Sequence, residues 1–276
     1  MLIEAFVLLI ALFAMWKLYL FFGSRQLTQV PYSHPRILMY HMIRTPIDGA
    51  TFNKLRVHPE QFEAQIRWLA EDGWYFATME EIARIIGGSG DSLPDKSVVI
   101  TFDDGYEDNL MNADPILERH GARATLYLVS DRFDRDWSTS KKAHHDSGEL
   151  MRERKLSDEQ VHQMLKSGRW ELGGHTVTHA NLEAIDDEQR DIEIRQQRPK
   201  LVDQFDTVIT SFAYPFGIYG PQDVQVVKSS GYQTAVTTVE GIPRDLAREA
   251  LELRRVKVSG KDSLATFKRR LAIGRK

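Results

Sequence analysis

Short apolar runs alternate with amphipathic stretches along most of this chain, and no other feature restricts its possible folds so far. The runs that read as strands are 36–42, 97–102, 124–130, 170–174, 208–214, 232–238 and 254–259. Helix patterns lie between them. Phe62, Ile66 and Leu69 recur at i, i+4 and i+7, and the next helix opens with a capping box, Thr78-x-x-Glu81. A second box, Ser157-x-x-Gln160, opens a helix that stops at Gly168. Further helices are expected over 109–120, 186–205, 221–230 and 262–273. Some seven strand–helix units without an internal repeat predict an α/β fold, a parallel sheet covered by helices and either open or closed into a barrel. The long polar loop 131–155 stands apart, with Trp137 and the pair His144–His145; loops of that length in compact domains carry function or move.

At 276 residues the chain suits one large domain or two small ones. It has no cysteine, which excludes a thiol nucleophile, a thiolate zinc finger and an iron–sulfur cluster but leaves the compartment open. The net charge is −3, unevenly spread: residues 254–276 hold nine Lys or Arg against the single acid Asp262, so the body is acidic. An acidic body is a poor partner for nucleic acid, whereas the basic tail suits an anionic surface.

Every residue from Ala5 to Trp16 is apolar, and the run resumes after Lys17 with Leu18–Phe22. About 20 apolar residues span a bilayer as a helix. With Lys17 reaching the interface beside Trp16 and Tyr19, residues 1–23 are expected to form an uncleaved transmembrane anchor. A cleaved signal peptide is the rival reading, but it wants a basic start and a small-residue cleavage site, and this chain begins Met-Leu-Ile-Glu. Residues 24–35 then form a linker and 36–276 the folded domain. The flanking charges, Glu4 before the segment and Lys17, Arg25 and Arg36 within or after it, place that domain on the cytoplasmic side.

Three segments carry chemistry. In Val98-Val99-Ile100-Thr101-Phe102-Asp103-Asp104-Gly105-Tyr106 a β-branched run ends in two adjacent carboxylates, at the strand end where parallel α/β folds place their sites. One carboxylate bound to a metal and one free to take a proton would resolve their repulsion. Taken alone, the Asp-Gly dipeptide reads as a turn. The second segment, Trp170-Glu171-Leu172-Gly173-Gly174-His175-Thr176-Val177-Thr178-His179, runs a strand into two histidines four apart. If one helical turn follows, His175 and His179 share a face and chelate one ion; as isolated residues they would be structural. With an Asp they make a two-His, one-carboxylate set, suited to a hydrolytic zinc or a non-haem iron. In the third, Ser211-Phe212-Ala213-Tyr214-Pro215-Phe216-Gly217, a turn after a strand can aim backbone N–H groups at an oxyanion or serve only as a turn.

Together these segments resemble the polysaccharide deacetylases, the NodB-homology group of carbohydrate esterase family four, over about 36–260. Thr-Phe-Asp-Asp-Gly is similar to that family's first motif and His-Thr-Val-Thr-His to its second, in the same order. The resemblance implies a distorted (β/α) barrel that hydrolyses N- or O-acetyl groups on sugars with one divalent metal ion, zinc first, with cobalt, nickel or iron(II) as the other candidates. It implies Asp103 as general base, Asp104, His175 and His179 as metal ligands, and the Phe216 amide as oxyanion donor. There are departures. Ala213 and Phe216 stand where the third motif has Arg and Tyr, the Asp-rich fourth motif has no counterpart near 237–240, and Leu253-Arg254-Arg255 replaces the late Leu-x-His. An early Leu38-Met39-Tyr40-His41 resembles instead the branch that deacetylates poly-N-acetylglucosamine, which makes His41 the general acid; a buried structural histidine is the other reading.

The function so implied is removal of N-acetyl groups from N-acetylhexosamine units of a poly-N-acetylglucosamine-like polysaccharide. The alternatives are a deacylase of a lipid-linked N-acyl amino sugar at the membrane face and a non-catalytic carbohydrate-binding subunit of an export assembly. Membrane lipid would be met through the anchor and through the tail, where Leu264, Phe267 and Leu271 form one helical stripe followed by Lys268, Arg269 and Arg270. A helix packed on the barrel with solvated cations is the plainer reading of that tail. The sequence leaves the oligomeric state open.

Overall fold

The computed structural model describes residues 29–135 and 148–275, whose compact unit begins at Pro31. The expected anchor at 1–23, linker residues 24–28, and Trp137, His144 and His145 lie outside the described residues. Among the described residues no helix is long and apolar enough to cross a membrane.

Seven parallel strands close into a barrel: β1 (Arg36–Tyr40), β5 (Ser97–Asp103), β6 (Ala124–Leu128), β7 (Trp170–Gly174), β8 (Ser211–Ala213), β9 (Thr234–Glu240) and β10 (Leu253–Lys257). Closure comes from β1, which pairs with β10 on one edge and with β5 on the other. The second edge of β5 is shared, with β4 (Tyr75–Ala77) against Ser97–Val99 and β6 against Ile100–Asp103. Two two-residue strands, β2 (Met42–Ile43) and β3 (Arg56–Val57), make a separate small sheet at the barrel mouth. The expected strand 36–42 therefore breaks at His41, which lies between β1 and β2. The strands β3 and β4 escape sequence reading because two or three residues show no period.

Side-chain alternation stacks the interior in layers. Ile37, Val99, Tyr127, Ala213, Val236 and Leu253 form an apolar layer with Ala77, Met79 and Ile82, all fully buried. Met79 and Ile82 belong to α2 (Met79–Ile86), which closes the N-terminal end of the barrel. The Thr78 capping box starts this helix as read. Glu171, half-buried on β7, adds an acceptor for the Met79 and Glu80 amides at 2.6 and 3.0 Å.

The outer helices are α1 (Pro59–Glu71), α3 (Asp114–Arg119), α4 (Asp158–Lys166), α5 (Asp187–Arg190), α6 (Gln197–Phe205), α7 (Pro221–Ser229) and α8 (Leu264–Ile273). Two of the expected helices are not continuous. Residues 109–120 begin as a π turn, Asn109–Ala113, and become α-helical at α3; residues 186–205 split into α5, a π turn at Asp191–Arg195, and α6. Each π turn contains the residue four positions before a proline, Met111 before Pro115 and Arg195 before Pro199, whose ring excludes that residue's carbonyl and which offers no N–H. The extra residue per turn accommodates that clash. The basic tail packs as α8, with Phe267 and Leu271 buried. Arg270 is not solvated: it is buried and paired with Glu240 at 2.7 Å and Asp262 at 3.2 Å, while the Lys268 ammonium lies 4.6 Å from the Trp68 ring centre.

Candidate active site

Above the apolar layer, most of the same inward positions turn polar. Val99 is followed on its face by Thr101 and Asp103, Leu253 by Arg255, and Ile37 by Met39 and His41. These ascend to the strand C-termini, where a pocket of about 500 Å³ is lined by His41, Asp103, Asp104, His175, His179 and Phe216 among others. All six residues singled out from the sequence meet there.

Asp104, His175 and His179 are buried, and their ligand atoms lie within 4.8 Å of one another. Each histidine Nε2 approaches the same Asp104 Oδ1, at 3.2 Å for His175 and 3.3 Å for His179. His175 Nδ1 lies 2.7 Å from the Ala213 carbonyl and donates to it, so in the neutral imidazole that binds metal Nε2 faces Asp104 with its lone pair. A lone pair against a buried carboxylate oxygen repels unless a cation lies between them. This donor set therefore fits a divalent metal ion, with two imidazoles and one carboxylate leaving positions open.

The histidines do not share a helix, contrary to the one-turn expectation. They leave β7 on an irregular loop in which Thr176 and His179 have φ of 62° and 60°. Glu193, on the second π turn, clamps this loop: its carboxylate accepts from the Thr178 N–H at 2.8 Å and hydroxyl at 2.6 Å, and its carbonyl from the Val177 N–H. Gly173 and Gly174 admit the close packing beneath it. A Cβ at 173 would lie 2.5 Å from the Tyr127 ring and one at 174 would lie 2.4 Å from the Tyr232 hydroxyl. Backbone strain concentrates here, since Asp104 (φ 81°) and Phe216 (φ 59°) are also left-handed.

Asp103 has a separate partner that sequence reading missed. Arg255 of β10 grips both its oxygens at 2.7 Å, and the guanidinium also donates to Thr101 Oγ1 and the Thr237 carbonyl. Burial alone would raise the Asp103 carboxyl; the Arg255 charge and hydrogen bonds, with the nearby His41 and His175, together outweigh it and hold the group below the usual carboxylate range. Burial also opposes ionisation of Asp104, which His179 and His175 carry well below that range. The signal was alternation, because Arg255 follows Leu253 on the inward face.

Phe216 sits on the turn after β8, its ring edge-on to His179 with centroids 4.4 Å apart. The Gly217 and Ile218 amides donate to the Tyr214 and Pro215 carbonyls, while the Phe216 N–H meets no backbone acceptor among the described residues. His41, half-buried at the end of β1, completes the pocket, its carbonyl accepting from Asn109 Nδ2 at 2.8 Å.

The polysaccharide deacetylase family model matches residues 90–235, which contain both carboxylates and both histidines. YxkH of Bacillus subtilis, which bears a polysaccharide deacetylase name, is 32% identical over 234 residues, 84% of this chain and 74% of that protein. The poly-beta-1,6-N-acetyl-D-glucosamine N-deacetylase of Staphylococcus epidermidis is 24% identical, over 67% of this chain and 62% of its own length. Among solved structures, the Streptococcus pyogenes deacetylase PplD superposes with a TM-score of 0.71 at 26% identity, covering 88% of this chain and 98% of that one. With its parallel barrel and the paired carboxylate and histidine motifs at the strand ends, this chain belongs to the polysaccharide deacetylase family of hydrolases.

Proposed function

We propose that this protein removes N-acetyl groups from N-acetylhexosamine units of a polysaccharide of the poly-N-acetylglucosamine kind, using one zinc ion held by Asp104, His175 and His179. The observation that carries this is the division of the two adjacent carboxylates. Asp104 points into the histidine pair, and Asp103 points at Arg255 within the same pocket. A bound divalent ion supplies Lewis acidity toward a water and an amide carbonyl. Asp103 takes the proton from that water; each carboxylate oxygen keeps a second lone pair beyond the one that Arg255 occupies. The Phe216 N–H faces the developing oxyanion, and His41 delivers a proton to the departing amine. The acetate in the Streptococcus pyogenes structure is the product such a reaction would release. The apolar residues 1–23 are proposed to tether the catalytic unit to a membrane.

The test is acetate release from a panel of N-acetylated glycans by protein reconstituted with zinc, cobalt, nickel or iron(II). Turnover of an N-acetylhexosamine oligomer that disappears on chelation supports the reading. Metal uptake without acetate from any glycan would favour the non-catalytic alternative.

A further inference from the structure

His41 stands at a join in the backbone. β1 ends at Tyr40 and β2 begins at Met42, so the residue that lines the pocket lies in neither strand. β2 is two residues long and forms its small sheet with β3 through Met42 beside Arg56 and Ile43 beside Val57. So short a ladder leaves main-chain groups to be satisfied from elsewhere. The π turn Asn109–Ala113 and the residue before it satisfy them. Asn109 Nδ2 donates to the His41 carbonyl at 2.8 Å, Asp108 Oδ1 accepts from the Ile43 N–H at 2.9 Å, and Asn112 Nδ2 donates to the Ile43 carbonyl at 2.7 Å. The Asn109 amide also donates to Asp108 Oδ1 at 3.1 Å, which ties these side chains together. Asn109 is fully buried.

None of the three side chains lines the active-site pocket. They act on it through the main chain of 41–43. Among the described residues no hydrogen bond reaches the His41 imidazole, so the place of the ring follows from its backbone. The turn also continues directly from the chemistry: Asp103 ends β5, Asp104 follows, and Asn109 begins the π turn five residues later. One short segment thus carries the base and a metal ligand and holds the backbone of the acid. Proton delivery is sensitive to such placement, and a 1 Å error can cost about 10²-fold in rate. Resting on His41 as the acid of the reaction above, we propose that Asn109 is a positioning residue for proton delivery to the departing amine, with Asp108 and Asn112 fixing the same segment at Ile43.

The experiment compares two substrates of the zinc-loaded full chain. An N-acetylhexosamine oligomer loses an amine, which must take a proton as the C–N bond breaks. 4-Nitrophenyl acetate loses a phenolate, which departs without one. His41→Ala sets the reference: its loss of kcat on the oligomer should exceed its loss on the ester by about 100-fold. Asn109→Ala should show the same bias at about tenfold, with KM for the oligomer within about threefold of the parent and zinc still at about one ion per chain. Asn112→Ala, at a half-buried position, should show it at about threefold and serves where Asn109→Ala does not fold. A change that only loosens the fold costs both substrates alike. Equal losses on oligomer and ester in Asn109→Ala, or in Asn112→Ala where it stands in, therefore overturn the proposal and leave the turn as a structural support. Equal losses in His41→Ala, or a parent that hydrolyses the ester but no oligomer, overturn the reading of the site itself and the proposal with it.

Discussion

The lower and upper halves of the barrel are made by the same strands but follow opposite rules. Below, Ile37, Val99, Val236 and Leu253 interlock without a polar atom, and α2 shuts the end. Above, two buried carboxylates, two buried histidines and a buried arginine meet where Asp104, Thr176, His179 and Phe216 hold left-handed backbone. Neither arrangement would persist alone. Left-handed residues of this kind cost on the order of 1–3 kcal/mol each, and the apolar layer beneath supplies the rigidity that keeps them in place. Substitutions in the lower half should therefore change stability with little effect on turnover, and those in the upper half should change turnover first.

The largest effect is expected at Asp103. Asp103→Asn removes the proton acceptor, and kcat on an N-acetylated oligomer should fall about 10²–10⁴-fold. Because the variant also leaves Arg255 without its counter-charge, the melting temperature should drop as well. An undiminished kcat would place the base elsewhere. Next is Arg255→Met, which strands a buried carboxylate; chemical denaturation should show a loss of about 3–5 kcal/mol, together with loss of turnover. Stability within 1 kcal/mol of the parent would mean that the pair is not the anchor of Asp103.

Leu253→Ala, on the same strand two residues lower, is the contrasting case. A cavity in the apolar layer should cost about 2–5 kcal/mol while kcat stays within a few-fold of the parent. A collapse of kcat in a still-folded Leu253→Ala protein would dissolve the distinction between the halves. Glu193→Gln is smaller again, since the amide keeps one acceptor for the Thr178 N–H, and a loss of about 1–3 kcal/mol is expected. Metal affinity should weaken with it, because the clamp holds both histidines.

The smallest effect concerns pH. Burial raises the Asp108 carboxyl to about 7, against the opposing Ile43 N–H and Arg44, with Glu153 adding to the rise and Lys155 opposing it. A carboxyl raised on folding binds its proton more tightly in the folded state. Its contribution is thus fully present below the ordinary Asp range and is lost as pH rises through about 7. Asp108→Asn keeps the acceptor for Ile43 but does not titrate. Denaturation midpoints measured from pH 5 to 8 should decline less in the variant, and parallel declines would remove Asp108 as the cause.

Much of this was legible beforehand, for reasons that separate the residues. Asp103, Asp104, His175, His179 and Phe216 sit within a few residues of strand ends, so a local motif suffices to find them. The capping boxes at Thr78 and Ser157 are likewise local and start their helices as read. Arg255 lies 152 residues from Asp103, and only the closed barrel brings them together; its inward position was readable from alternation, its partner was not. Asn109 and Glu193 are placed by π turns, which carry no periodic signal, although Pro115 and Pro199 inside expected helices were a warning. The helical pairing of His175 with His179 was misjudged because spacing alone cannot distinguish a helical turn from a loop containing two left-handed residues.

The division of labour between the adjacent carboxylates is tested most directly by metal content. Elemental analysis of zinc-reconstituted protein should find about one ion per chain in the parent and in Asp103→Asn, and a small fraction of that in Asp104→Asn and His175→Ala. Equal metal in all four proteins, or loss of metal from Asp103→Asn as complete as from Asp104→Asn, would contradict the assignment.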